Sequence, residues 1–112
     1  MKKKYRLRNN DDFQKVYKKG KKYWNRNLIL FVMKNGLDYS RVGFTVSKKI
    51  GNSVIRNRVK RRLKEIFRKN FNNMKEEYDI IIIPKKNVIN IEHKELESAM
   101  FHILKLANML KI

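Results

Sequence analysis

Apolar residues recur at three- and four-residue intervals between residues 50 and 69. The recurring positions are Ile55, Val59, Leu63, Ile66 and Phe67. This spacing places them on one face of an α-helix. Asn52 or Ser53 can cap the first turn, and Gly51 allows the chain to turn into it. We therefore predict a helix that buries one narrow apolar stripe.

The same reasoning predicts two further helices. One covers about residues 10–19, with Asn9 or Asn10 at its start and Gly20 at its end. The other begins near Asn90, and we expect it to cover one face of a sheet. Its buried stripe is predicted to contain Leu96, Ala99, Met100, Ile103, Leu104, Ala107 and Leu110.

Three apolar stretches predict β-strands. Residues 28–33 form a run that is too short for a typical helix, residues 39–47 alternate, and residues 78–83 suit a strand buried on both faces. Asn35-Gly36 favours a hairpin between the first two strands. The helix between the last two favours a parallel pair. Gly43 leaves one face of the second strand open to close approach by another backbone or a ligand.

The positive charge of the chain is concentrated in its first part. The 112 residues carry a formal net charge of +19. Residues 1–70 contain 23 Lys or Arg and 4 acids, whereas residues 71–112 contain 6 of each. The length suits a single domain, residues 1–112, in which residues 1–8 form a basic arm that we expect to be irregular until it meets a partner. This distribution favours nucleic acid as the partner.

The predicted helix at residues 53–69 presents a cationic face opposite its apolar stripe. Glu65 is its only acid, whereas a face that merely solvates a helix would mix signs to gain pairs between adjacent turns. We therefore infer that this face binds a polyanion. The residues opposite the stripe are Asn57, Arg61, Lys64 and Arg68, those on the flanks include Arg58 and Lys60, and those bordering the stripe are Arg56 and Arg62.

Two interpretations are open for Phe13 and Tyr17. They share a helix face with Val16, so both can belong to the core. They are also aromatic residues on a short helix rich in lysine, a combination that stacks single-stranded bases. The spacing alone does not decide between the two.

No group of residues argues for catalysis by the chain itself. His93 and His102 lie in no recognisable ligand or base motif, and there is no cysteine.

An anionic membrane is a rival partner for the basic helix at residues 53–69, but its narrow aliphatic stripe suits a protein core better than a bilayer interface. We expect a cytoplasmic protein that binds no membrane, small-molecule substrate, metal or other cofactor.

Several motifs together span nearly the whole chain. The strongest is VSKKIGN at residues 46–52, which runs into RNRVKR at residues 56–61. An N-terminal pattern comprises Arg6-Leu7 followed by Phe13, Val16, Tyr17 and Gly20, and Asp79 is followed by four isoleucines. These motifs resemble those of the protein component of bacterial ribonuclease P. The departures from the family pattern are mild. Ser53 stands where Ala is common, and Tyr17 stands where Phe is also seen and keeps an aromatic ring.

The resemblance implies a small α/β fold, described as an α+β sandwich. Its element order is αβββαβα, with about four strands in a mixed sheet. A left-handed β-α-β crossover carries the basic helix, against the usual right-handed preference. The third strand, which periodicity does not reveal, is expected within residues 21–27.

The resemblance also implies a function. Family members bind a catalytic RNA, and the holoenzyme cleaves the 5′ leader from precursor tRNA. The RNA uses Mg²⁺ and performs the chemistry, while the protein binds the leader and stabilises the catalytic RNA and its Mg²⁺ sites. By this resemblance the catalytic RNA meets Arg56, Asn57, Arg58, Lys60, Arg61, Arg62, Lys64 and Arg68. The leader groove is lined by Phe13, Tyr17, Phe31 and Lys48.

Composition alone supports only nucleic-acid binding. A ribosomal protein would be equally small and basic, and it would sediment with ribosomes. An architectural DNA-binding protein would prefer and bend duplex DNA. A nuclease active without RNA is disfavoured because the sequence shows no acid–base or metal constellation.

Overall fold

The computed structural model describes residues 2–111 of the chain. Its helices are α1 (Asn10–Lys19), α2 (Ser53–Asn70) and α3 (His93–Leu106). Its strands are β1 (Lys21–Trp24), β2 (Leu28–Lys34), β3 (Arg41–Phe44) and β4 (Tyr78–Pro84). The order αβββαβα and the short strand β1 confirm the predicted fold class. None of the described helices is both long and apolar enough to cross a membrane.

The four strands form one mixed sheet in the order β1-β2-β4-β3. Strand β4 is antiparallel to β2 and parallel to β3, which confirms the predicted parallel pair. Helix α2 therefore lies in the crossover between β3 and β4. The left-handed sense of that crossover stays a prediction of the resemblance.

The two faces of the sheet are covered differently. Helices α2 and α3 cover one face and form the larger core with Leu30, Ile80 and Ile82. Helix α1 packs on the other face, where Leu7, Val16 and Ile81 form a smaller cluster. Residues Ile80, Ile81 and Ile82 are fully buried, so β4 is covered on both faces as predicted.

The predicted hairpin at Asn35-Gly36 is wrong. Strand β4 lies between β2 and β3, so the two strands joined by this turn do not pair. The isoleucines of β4 are apolar on both faces and gain most from a central position. The Asn35 amide instead holds the loop in place, since it donates to the Tyr39 carbonyl at 3.1 Å and to Asp79 at 3.0 Å.

The expectation of an irregular N-terminal arm is also wrong for the described residues; Met1 lies outside them. Lys3–Tyr5 forms a 3₁₀ turn, and the Leu7 backbone N–H donates to the Val42 carbonyl at 2.9 Å. Leu7 is buried, and the ring centroids of Tyr5 and Phe71 are 4.9 Å apart. The arm docks because two apolar side chains alternate with its charges, and the apolar surface that they bury stabilises it.

A buried ion pair fixes β3 against β4. Asp79 is almost fully buried, and the Arg41 guanidinium donates to both of its carboxylate oxygens, at 2.8 and 2.7 Å. Hydrogen bonding to Asp79 is the main reason why the pKa of Arg41 is raised above its ordinary value. Asp12 of α1 approaches Arg41 at 3.4 Å and extends the pair to a third element.

We predict that Asp79→Ala lowers the free energy of unfolding by about 3 kcal/mol, measured by urea denaturation. Breaking a buried pair typically costs 3–5 kcal/mol, and the lower end applies because the partly exposed Arg41 can regain water. Asp38→Ala, in an exposed loop, is the control. Equal stability of the two variants would contradict a structural role for the pair.

Candidate nucleic-acid interface

Helix α2 has the predicted amphipathic form. The Asn52 side chain accepts a hydrogen bond from the Ile55 backbone N–H at 3.0 Å, and Val59, Leu63, Ile66 and Phe67 are buried. The rings of Phe67 and Phe44 meet edge to face at 5.9 Å and join the helix to β3. Burial of this stripe directs the opposite side of α2 toward solvent.

The structure brings most of the predicted cations of α2 onto one exposed face. Asn57, Lys60 and Arg61 are exposed, and they line a shallow concave surface together with the half-buried Lys64. Arg68 is also exposed, two turns beyond Arg61. Among residues 2–111, none of these cations forms an ion pair with an acid of the chain, so their charge is available to an external anion. Exposed guanidinium groups suit phosphate because their planar fork donates two hydrogen bonds at once.

The remaining predicted cations lie at the borders of this face. Arg62 is half-buried and donates to the Val88 and Ile91 carbonyls at 3.2 and 3.0 Å. Its guanidinium therefore ties α2 to the segment that precedes α3. Arg58 is exposed one turn earlier on the same flank, and Arg56 is half-buried beside the apolar stripe.

The N-terminal arm adds cations that sequence reasoning did not assign to the site. A cleft of about 460 Å³ separates the arm from α2, and Arg6, Arg8, Lys60, Lys64 and Arg68 line it. Burial, followed by the charges of Lys60 and Arg6, lowers the pKa of Lys64. The cations are therefore close enough to destabilise one another, and a bound anion would relieve that repulsion. The sequence signal was the alternation Arg6-Leu7-Arg8, in which only Leu7 is buried.

Three of the predicted aromatic residues come together on the face of the sheet that α1 partly covers. The ring centroids of Tyr17 and Phe31 are 5.2 Å apart, and those of Phe13 and Tyr17 are 6.4 Å apart. All three are half-buried, and they pack on the cluster of Leu7, Val16 and Ile81. These rings thus contribute to the core and also keep exposed surface, so the two interpretations of Phe13 and Tyr17 are compatible.

Two polar residues that sequence reasoning missed belong to this aromatic face. The Tyr17 hydroxyl is hydrogen-bonded to the Thr45 hydroxyl at 2.7 Å, which orients the ring. The Lys22 ammonium lies 6.0 Å from the Phe31 ring centroid. Lys48 is exposed in the turn that follows Thr45, at the same end of the sheet. The strand register that places Lys22 opposite Phe31 is not readable from spacing alone.

Gly43 permits the close packing of α1 on β3. A Cβ atom at this position would lie 2.4 Å from Cζ of Phe13, closer than atoms can approach. A close approach at Gly43 is therefore observed, but its occupant is the Phe13 ring and not the backbone or ligand that was predicted. Phe13 also lines the cleft beside α2, so this ring joins the cationic and aromatic surfaces.

No cluster of three or more His, Asp or Glu side chains within residues 2–111 is arranged to hold a metal ion. His102 lies 3.2 Å from the Asn25 amide nitrogen, next to the turn between β1 and β2.

A cationic helix face beside an aromatic sheet face is typical of small α/β proteins that bind RNA. The family model for ribonuclease P matches residues 1–108, so the chain belongs to the ribonuclease P protein family. It is similar to the ribonuclease P protein component of Alkaliphilus oremlandii, with 50% identity over 105 residues that cover 94% of this chain and 92% of the relative. The component of Finegoldia magna is 48% identical over 108 residues, covering 96% and 95% of the two chains.

Solved structures of the family share the fold. A variant of the Staphylococcus aureus RNase P protein, described as defective in mRNA degradation activity, superposes with a TM-score of 0.91 at 35% identity, covering 96% of this chain and 92% of the other. The RNase P protein of Thermotoga maritima superposes with a TM-score of 0.83 at 34% identity, covering 90% and 96%.

We predict that Gly43→Ala lowers the free energy of unfolding by about 1–3 kcal/mol, because the new methyl group must displace the Phe13 ring. Denaturant unfolding of Gly43→Ala, Phe13→Ala and the double variant tests the contact as a cycle. The double variant should be more stable than the sum of the single effects predicts. Simple additivity would show that the two positions do not meet.

Proposed function

We propose that this chain is the RNA-binding protein subunit of a ribonuclease P ribonucleoprotein, which removes the 5′ leader from precursor tRNA. Membership of the family supports this assignment over the ribosomal and architectural alternatives. The observation that carries the mechanism is the continuity of the two surfaces at Phe13. One surface suits folded RNA, and the other suits a single strand that leaves it.

The exposed face of α2 is proposed to bind the catalytic RNA. Its cations contact phosphate groups and fix the position of the protein, without reading much sequence. Arg61, Lys64 and Arg68, with Asn57 and Lys60, form the centre of this contact, and Arg56, Arg58 and Arg62 form its borders. The arm contributes Arg6 and Arg8 across the cleft.

The aromatic face is proposed to bind the 5′ leader of the precursor tRNA. Phe13, Tyr17 and Phe31 offer ring surface for stacking, and Lys48 adds a positive charge near the phosphate backbone. Stacking accepts any base, so leader binding should tolerate sequence changes. The chain contributes no catalytic group in this scheme. Mg²⁺ is used through the RNA, which performs the cleavage.

We predict that replacing Arg61, Lys64 and Arg68 with Gln weakens binding to the catalytic RNA and makes it less sensitive to salt. The slope of log K against log salt should become shallower by about 0.7–0.9 per lost phosphate contact, or roughly 2–3 units in all. The matched control replaces Lys86, Lys94 and Lys105, which removes the same charge from the neutral part of the chain. Equal slopes for both triple variants would remove α2 as the RNA-binding face.

We predict that Tyr17→Ala and Phe13→Leu each weaken binding of leader-bearing precursor tRNA by about 1–3 kcal/mol, because a stack on one base is lost. Mature tRNA should bind as before. Phe13→Leu keeps most of the packing against Gly43, and Tyr17→Phe is the control that keeps the ring but loses the hydrogen bond to Thr45. If the variants lose equal affinity for both RNAs, the aromatic face does not recognise the leader.

A further inference from the structure

Trp24 is an unusual residue on the aromatic side of the molecule. It is the only tryptophan of the chain, and it is 61% exposed although it lies within a strand. Single exposed apolar residues are common on protein surfaces and need no explanation. Trp24 differs because its neighbours across the sheet continue the surface already described.

The strand register places Trp24 on the same face as Phe31. Lys22 pairs with Phe31, and Trp24, two residues later, pairs with Ile29. Ile29 in turn pairs with Ile83 of β4. Side chains of paired residues lie about 4.5–5.5 Å apart at their Cβ atoms, so Trp24 and the half-buried Ile29 and Ile83 form one apolar surface. This surface continues the ring cluster of Tyr17 and Phe31 toward the far edge of the sheet.

The backbone under Trp24 is rigidly held. The Asn25 side chain accepts hydrogen bonds from the Asn27 and Leu28 backbone N–H groups, at 3.0 and 2.9 Å, and donates to the Ala99 carbonyl at 3.0 Å. The Lys85 ammonium donates to the Asn25 carbonyl at 2.7 Å. The turn after Trp24 is thus tied to β2, to α3 and to the residue that follows β4. A ring on such a fixed backbone loses little conformational freedom when it stacks on a ligand.

The charge around Trp24 identifies the kind of ligand. Lys22 and Arg26 are exposed on β1 and on the turn that follows it, and Lys22 lies over the Phe31 ring. No Asp or Glu occurs between residues 13 and 37. An apolar protein partner would not require these cations. Alternating rings and positive charges suit a single-stranded nucleic acid.

We propose that Trp24 is a further stacking position for the 5′ leader, for nucleotides farther from the cleavage site than those on Phe13 and Tyr17. The inference rests on the proposed function. Trp24 lies on β1, and β2 and β4 separate it from β3 and the cationic cleft, a distance of about 14 Å at the usual strand spacing. A leader that starts near α2 must cross the sheet to reach Trp24. Short leaders therefore cannot contact it.

The test measures affinity of the reconstituted holoenzyme for precursor tRNAs whose leaders are shortened one nucleotide at a time. Trp24→Ala should lower affinity about 5- to 150-fold for long leaders, the range expected for the loss of one stacked base. It should have no effect on short leaders or mature tRNA. Trp24→Phe should retain most of the affinity. Phe101→Ala, which removes a 45% exposed ring from α3, is the matched control and should have no effect.

A second readout uses the unaltered protein. Fluorescence of the single tryptophan should change when a long-leader precursor binds and should stay constant with mature tRNA.

The Tyr17→Ala variant distinguishes failure of the inference about Trp24 from failure of the proposed function. If Tyr17→Ala loses leader affinity while Trp24→Ala binds every leader normally, the inference fails and the proposed function stands. If neither variant loses affinity for leader-bearing precursor tRNA, both the inference and the proposed function fail. If Trp24→Ala weakens the binding of mature tRNA as much as that of long-leader precursor, Trp24 contacts another RNA surface and the inference is overturned.

Discussion

Strand β4 is the element against which both layers of the fold pack. Its isoleucines are buried against α2 and α3 on one face and against α1 and the arm on the other. A strand that is apolar on both faces is stable only at the centre of a sheet, so it separates β2 from β3. Its first residues carry Asp79, which anchors Arg41 and Asn35. Both surfaces proposed for binding are positioned by elements packed on this strand.

The incomplete cover on one face of the sheet creates the surface that we propose for leader binding. Helix α1 has ten residues and packs across only part of that face, so half-buried rings remain next to exposed lysines. The two long helices complete the larger core on the other face, and α2 then directs its cations away from it. The same burial that stabilises the fold therefore separates an apolar surface from a charged one. Phe13 lies where the two meet, above the space that Gly43 leaves open.

Periodicity predicted the helices well because a helix buries a stripe that can be read locally. The boundaries of α2, its cap at Asn52 and most of the stripe of α3 follow from spacing. Ala107 and Leu110 are buried as predicted, but they lie beyond the end of α3 at Leu106, where Leu110 forms a β-bridge with Met74. Strand neighbours depend on contacts between distant residues, so the Asn35-Gly36 signal correctly indicated a turn but not which strands pair. The arm was misjudged because its charge was counted and the burial of Leu7 was not. Arg6, Arg8, Lys22 and Thr45 joined the site only through tertiary packing.

Cleavage of precursor tRNA at low, near-physiological Mg²⁺ shows whether the protein acts only together with a catalytic RNA. The reaction would contain this protein alone, a bacterial ribonuclease P RNA alone, or both together. We expect removal of the 5′ leader only in the combined reaction, because in our proposal the protein binds and the RNA performs the chemistry. Cleavage by the protein alone, persisting after removal of trace RNA, would contradict it. So would the absence of cleavage in the combined reaction when the same RNA is active at high Mg²⁺.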